Sequence, residues 1–99
     1  MARFDVHHVQ NQTGYLLNLQ TRFLDHLPTH LVAPVLPLPT DLPAIRGLTV
    51  AVEIAGVPHL GFPQYLPSVP KRELGMVIDN LKSERDAITR RLDLLFTGL

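Results

Sequence analysis

Apolar and polar residues alternate near the start of the chain, with Phe4, Val6 and His8 on one face and Asp5 and His7 on the other. A period of two is the spacing of a β-strand. The polar run Gln10-Asn11-Gln12-Thr13-Gly14 reads as a turn. Tyr15-Leu16-Leu17-Asn18-Leu19-Gln20 returns as a second strand, so residues 3 to 20 are predicted to form a hairpin. Phe23-Leu24-Asp25 then places an apolar pair in an irregular connection. His30 to Leu36 predicts a third strand; Pro34 within it has no N–H for a ladder and predicts an edge or a bulge. Pro37 to Pro43 is a loop. Leu48 to Ile54, rich in β-branched residues, gives the clearest strand. Ala55-Gly56-Val57-Pro58 turns it, and His59 to Phe62 is expected to pair back.

All nine prolines precede residue 71, which leaves no room for a long helix between about residues 26 and 70. After Pro70 the character changes. Lys71 to Lys82 reads as a helix interrupted by Gly75. From Ser83 to Leu99 the helical pattern is strong. Ser83 suits an N-cap, with Asp86 three residues later in a capping-box position. Glu84 and Asp86 suit the positive end of the helix dipole. Ile88, Leu92, Leu95, Phe96 and Leu99 form one apolar stripe, of which Ile88, Leu92 and Phe96 are expected to pack on the core. Asp86 and Arg90 are four apart and are expected to pair, and Gly98 is a natural terminator. Two large apolar residues among the last four suggest a docking surface for a partner, or a dimer interface.

With 99 residues the chain suits one domain, 1–99, around one core. Apolar residues make up 45% and charged residues 18%, a globular rather than a disordered balance. Nine Lys and Arg cancel nine Asp and Glu, so no overall charge draws the chain to nucleic acid. There is no cysteine, hence no disulfide and no thiolate chemistry. No apolar run reaches the roughly 18 residues of a membrane span, and the first residues lack a secretory leader's apolar run. The expectation is a cytoplasmic protein with no membrane partner.

No strong catalytic motif is present: no phosphate loop, no G-x-S-x-G and no H-E-x-x-H. His26 and His30 are four apart, but Pro28 between them breaks a helix and there is no cysteine and no local acidic pair to complete a ligand set, so both read as loop histidines. His7 and His8 point to opposite faces of a strand, and His59 beside Pro58 reads as a turn residue. Asp25 beside Phe23 and Leu24 would serve as an acid only with a raised pKa, and no second group completes a mechanism. No catalytic residue, metal or cofactor is expected.

The sequence resembles the CcdB toxins, the toxic half of a type II toxin–antitoxin pair. Ser68 to Leu99 aligns without a gap, and Leu94-Leu95-Phe96-Thr97-Gly98-Leu99 follows the family's Leu-Met-Phe-Trp-Gly-Ile. Asn18-Leu19-Gln20-Thr21-Arg22-Phe23-Leu24-Asp25 resembles its Asp-Val-Gln-Ser-Asp-Ile-Ile-Asp, and Leu31-Val32-Ala33-Pro34 its Met-Val-Ile-Pro. The resemblance implies a mostly β fold, an SH3-like small β-barrel with a C-terminal α-helix, forming a homodimer. It implies a topoisomerase poison of the plasmid-maintenance kind: a DNA gyrase inhibitor that binds the gyrase A subunit, traps the cleaved-DNA complex and is neutralised by a CcdA-like antitoxin. Such a toxin binds rather than catalyses and does not itself contact nucleic acid.

By position the resemblance assigns gyrase binding to Phe23, Leu24, Asp25, Arg85, Asp86, Thr89, Arg90, Asp93, Phe96, Thr97, Gly98 and Leu99. It assigns antitoxin binding to Gln10, Asn11 and Thr13. Thr97 replaces the family's tryptophan, Arg85 a glutamate and Asp93 an asparagine. An alternative within the resemblance is a dimer of this fold that binds an antitoxin without poisoning gyrase. A third reading, outside it, is a small dimeric interaction domain.

Overall fold

The structure is a computed structural model that describes residues 2–9 and 12–98. Seven strands are seen among these residues: β1 (Asp5–His8), β2 (Tyr15–Asn18), β3 (Thr29–Pro37), β4 (Val50–Ile54), β5 (Val57–Gly61), β6 (Ser68–Pro70) and β7 (Val77–Asn80). One α-helix among them, α1 (Arg85–Thr97), follows β7. The strands run antiparallel in the order β4-β5-β3-β2-β1-β7, with β6 paired to the start of β3. The sheet curls into a small SH3-like half-barrel, and α1 packs on its core through Ile88 and Leu92.

The predicted N-terminal hairpin is present as β1 and β2, with Val6 opposite Leu17. Its alternation fails at one point. His7, expected on the polar face, is buried at 1% exposure while His8 faces out. The β1–β7 pairing shifts register between Val6 and His7, and a bulge there turns two successive side chains inward. Val50, Val52 and Ile54 of β4 keep the strict alternation, buried between exposed Ala51 and Glu53. Ala55 and Gly56 both take positive φ (52° and 78°), the two-residue turn that matches the twist of a hairpin, and β5 pairs back as expected.

Three expectations are corrected. Pro34 is neither on an edge strand nor at a bulge, because β3 is the centre of the sheet. It is tolerated there because β3 changes neighbour beside it: β6 pairs Thr29 to Leu31, and β5 pairs Val35 to Pro37. Its missing N–H therefore falls where no ladder bond is required. Lys71 to Lys82 is not a helix. It is a 3-10 turn (Lys71–Glu73), then β7, then a second 3-10 turn (Lys82–Glu84). Gly75 explains the difference. A Cβ there would sit 2.5 Å from the His8 carbonyl oxygen, and the Gly75 N–H donates to that oxygen at 3.0 Å. Only glycine lets the backbone come that close, and the approach delivers Val77 to Asn80 to the edge of β1.

The helix cap falls one residue later than expected. Ser83 belongs to the preceding 3-10 turn, and Glu84 occupies the N-cap without a side-chain bond. Asn80 closes that turn instead, its Oδ1 accepting from the Lys82 N–H at 2.8 Å. At the far end Gly98 adopts φ 75° and donates to the Leu94 carbonyl, the left-handed cap that glycine supplies at no steric cost.

Candidate functional site

The residues assigned by resemblance fall on three supports. The first is the 3-10 turn Arg22–Leu24, in which no side chain is buried. Phe23 is 89% exposed and Leu24 43%. The backbone beneath them is fixed by Gln20. Its Nε2 donates to the Leu24 carbonyl (2.9 Å) and the Thr29 carbonyl (3.2 Å), and its Oε1 accepts from the Leu31 N–H (3.1 Å). One side chain thus ties the end of the turn to both sides of the entry into β3.

Asp25 follows the turn. Lys71 donates from Nζ to its carbonyl at 3.0 Å and lies 4.0 Å from its carboxylate, and the buried His30 ring is 3.9 Å away. The carboxyl is held below its ordinary value, with the Lys71 ammonium and then the His30 ring among the groups that favour its ionised form. That is the reverse of what an acid catalyst needs. His30 is a strand residue at 1% exposure rather than a loop histidine. Asn18 Nδ2 donates to the Ala2 carbonyl, so its Oδ1 accepts from Gln20 N–H and from His30. His30 Nδ1 therefore carries a proton. His59 is likewise a buried strand residue, donating from Nδ1 to the Val57 carbonyl at 2.7 Å.

Asn18, Gln20, His30 and Lys71 are the supporting residues that sequence reasoning missed. A polar residue inside an otherwise apolar strand, as Asn18 is in Leu17-Asn18-Leu19, was the available signal. Asn18→Ala is expected to leave Ala2, Gln20 and His30 without their partner in a buried setting. A loss of about 1–3 kcal/mol in urea unfolding follows, with the midpoint lowered and the slope unchanged.

The second support is α1. Arg85, Asp86, Arg90 and Asp93 are exposed and Thr89 is half-buried. The expected Asp86–Arg90 pair is replaced by a close approach of Arg85 Nε to Asp86 Oδ1 at 3.7 Å, both side chains well exposed. Thr97 turns its hydroxyl back to the Asp93 carbonyl at 2.6 Å. Phe96 was expected to pack on the core. It does not: Ile88 and Leu92 are buried, Leu95 is half-buried and Phe96 is 67% exposed. The buried positions of α1 are thus Ile88 and Leu92, and burial falls away in the last turn, which Gly98 caps. Of the four phenylalanines, Phe4 and Phe62 are buried while Phe23 and Phe96 face solvent.

The third support is the β1–β2 connection, where Thr13 is exposed. Gln10, Asn11 and Leu99 lie outside the described residues. The polar bonds of the Phe23 turn run to β3 and Lys71, whereas those of α1 close within the helix. The two exposed phenylalanines are therefore held independently.

The profile of the CcdB protein family matches residues 3–98. No curated relative matches the sequence. Several solved structures share the fold. An endoribonuclease in complex with its cognate antitoxin, from a mycobacterial species, superposes with a TM-score of 0.79 at 14% identity, over 100% of this chain and 96% of that one. An endoribonuclease from a mycobacterial species gives 0.78 at 15%, over 100% and 92%. The Mycobacterium tuberculosis toxin MazF-mt6 gives 0.72 at 20%, over 93% and 95%. Identities this low establish the fold and nothing finer.

Proposed function

The chain belongs to the CcdB family, and from that premise we propose that it is the toxin of a type II toxin–antitoxin module that acts as a homodimer on the DNA gyrase A subunit. The family match over nearly the whole chain carries this reading. Two exposed aromatic residues, Phe23 and Phe96, support it, because large aromatic side chains left outside a core are the usual anchors of a protein interface. In this reading Phe23, Leu24 and Asp25 form one contact. The polar face Arg85, Asp86, Thr89, Arg90 and Asp93 forms the second, with Phe96, Thr97, Gly98 and Leu99 at its end. Gln10, Asn11 and Thr13 meet the antitoxin. The bound toxin holds the cleaved gyrase–DNA complex and transforms nothing itself.

A second reading keeps the antitoxin and loses gyrase. Thr97 favours it. The hydroxyl is spent on the Asp93 carbonyl, so the position of the family's indole offers only a methyl group to a partner.

The test is gyrase-dependent DNA cleavage by purified protein with the host's own enzyme. Wild type is expected to accumulate cleaved complexes. Phe23→Ser and Phe96→Ser are each expected to weaken the effect about 30-fold, the equivalent of roughly 2 kcal/mol for an aromatic anchor. Their thermal unfolding should stay within about 0.5 kcal/mol of wild type, since both side chains are exposed. Absence of both cleavage and binding to the gyrase A subunit sinks the first reading and leaves the second. Gyrase-independent cutting of RNA would replace both with the endoribonuclease activity named for the structural neighbours.

A further inference from the structure

We propose that the open seam of the half-barrel, between β4 and β7, receives an extended cationic segment of a partner protein as an added strand. The inference needs only the fold and stands apart from the gyrase reading.

Among the described residues β4 pairs only with β5, and β7 only with β1. Each therefore has one side whose backbone N–H and C=O groups take no strand partner. Residues of both strands line one cleft of about 530 Å³. An unpaired edge is a template for a further strand, and here two short edges, of five and four residues, meet at the same opening.

The chemistry of the cleft selects the occupant. Three carboxylates line it: Glu53 from β4, Asp79 from β7 and Glu84 from the turn before α1. No Lys or Arg is among its lining residues. Asp79 holds one oxygen on the Asn80 N–H at 2.7 Å, while Glu53 and Glu84 stand exposed. His59 adds a buried polar group. It is only 5% exposed and lines the cleft. Its Nδ1 donates to Val57, and its Nε2 makes no hydrogen bond to the described residues. With Nδ1 carrying the proton, a neutral ring leaves Nε2 as an acceptor. A segment alternating Lys or Arg with small apolar residues meets these demands. Its backbone pairs with β4, and its cations reach Glu53, Asp79 and Glu84. A second copy of this chain fits poorly, because its own exposed edge, Met76-Val77-Ile78, carries no cation.

The probe is a fluorescein-labelled decapeptide of alternating lysine and valine. Its controls are the glutamate–valine analogue and a lysine–valine peptide N-methylated at every second amide. The expected result is micromolar binding of the first peptide alone, weakened by salt, with amide shifts concentrated in Val50–Ile54 and Val77–Asn80. Glu53→Lys combined with Glu84→Lys is expected to weaken binding at least about tenfold, by placing like charges in the cleft. Unfolding should be little changed, since both positions are exposed. Failure of the lysine–valine peptide to bind overturns the proposal and leaves the carboxylates as edge protection. Equal binding of the N-methylated peptide overturns the added strand. Shifts confined to other surfaces, or a seam occupied by a second copy in a concentrated sample, overturn it also.

Discussion

Ile88→Ala is expected to lower the unfolding free energy by about 2–5 kcal/mol, the range for truncating a buried aliphatic side chain without collapse around it. Ile88 is fully buried, and with Leu92 it is one of only two α1 side chains inside the barrel. The loss therefore falls on the contact that joins helix to sheet, not on a redundant part of the core. In a domain of this size it corresponds to a thermal midpoint lower by about 10 °C or more. Phe96→Ala on the same helix serves as the internal contrast. That side chain is larger, yet it is 67% exposed, and its removal should shift stability by no more than about 0.5 kcal/mol. If the two variants unfold alike, the stripe is packed differently from the description above.

Gly14→Ala should be comparably damaging for a different reason. Gly14 has φ +94°, and a Cβ there would lie 2.7 Å from the Val35 carbonyl oxygen and 2.8 Å from Leu36 Cδ2. The first obstacle is backbone of the central strand, held opposite Tyr15 by the β2–β3 register, so it has little freedom to give. The left-handed conformation costs a side chain roughly 1–2 kcal/mol, and the overlap adds about 1–3 kcal/mol. Gly56→Ala separates the two effects. Gly56 has φ +78° but nothing within 4 Å of the added carbon, so only the conformational cost of about 1–2 kcal/mol remains. Chemical denaturation of the two variants should rank them in that order.

Much of the fold was legible because the clearest strands are half-buried. Val50, Val52 and Ile54 alternate with polar or small neighbours, and the hairpin turn carries its glycine where positive φ is needed. The first miss, Lys71 to Lys82, came from treating an absence of proline as helical tendency. The deciding fact there is non-local: β1 needs a neighbour some 70 residues away, and Gly75 is what allows it to approach. The histidines failed for a related reason. His30 and His59 are polar by composition yet buried, because partners distant in sequence or the strand's own backbone satisfy a ring nitrogen. Phe96 sits on the correct helical stripe, and only the burial along α1 shows that the stripe outruns its core. At the candidate site the exposed residues followed from family position. Gln20 and Lys71, which hold them, were hidden because a brace made through main-chain carbonyls has no local sequence signature.

The Gln20 brace has a consequence for how such a surface changes over generations. Every bond that shapes the Arg22–Leu24 turn, seen from Gln20, ends on backbone atoms, and none of the turn's own side chains is buried. The identities of Phe23 and Leu24 are thus uncoupled from the conformation that presents them. Substitutions there can change the displayed surface while the scaffold stays at nearly constant stability. Gln20 itself has no such latitude: a change at this one position would disturb the presentation of the whole turn, whatever the turn then displays.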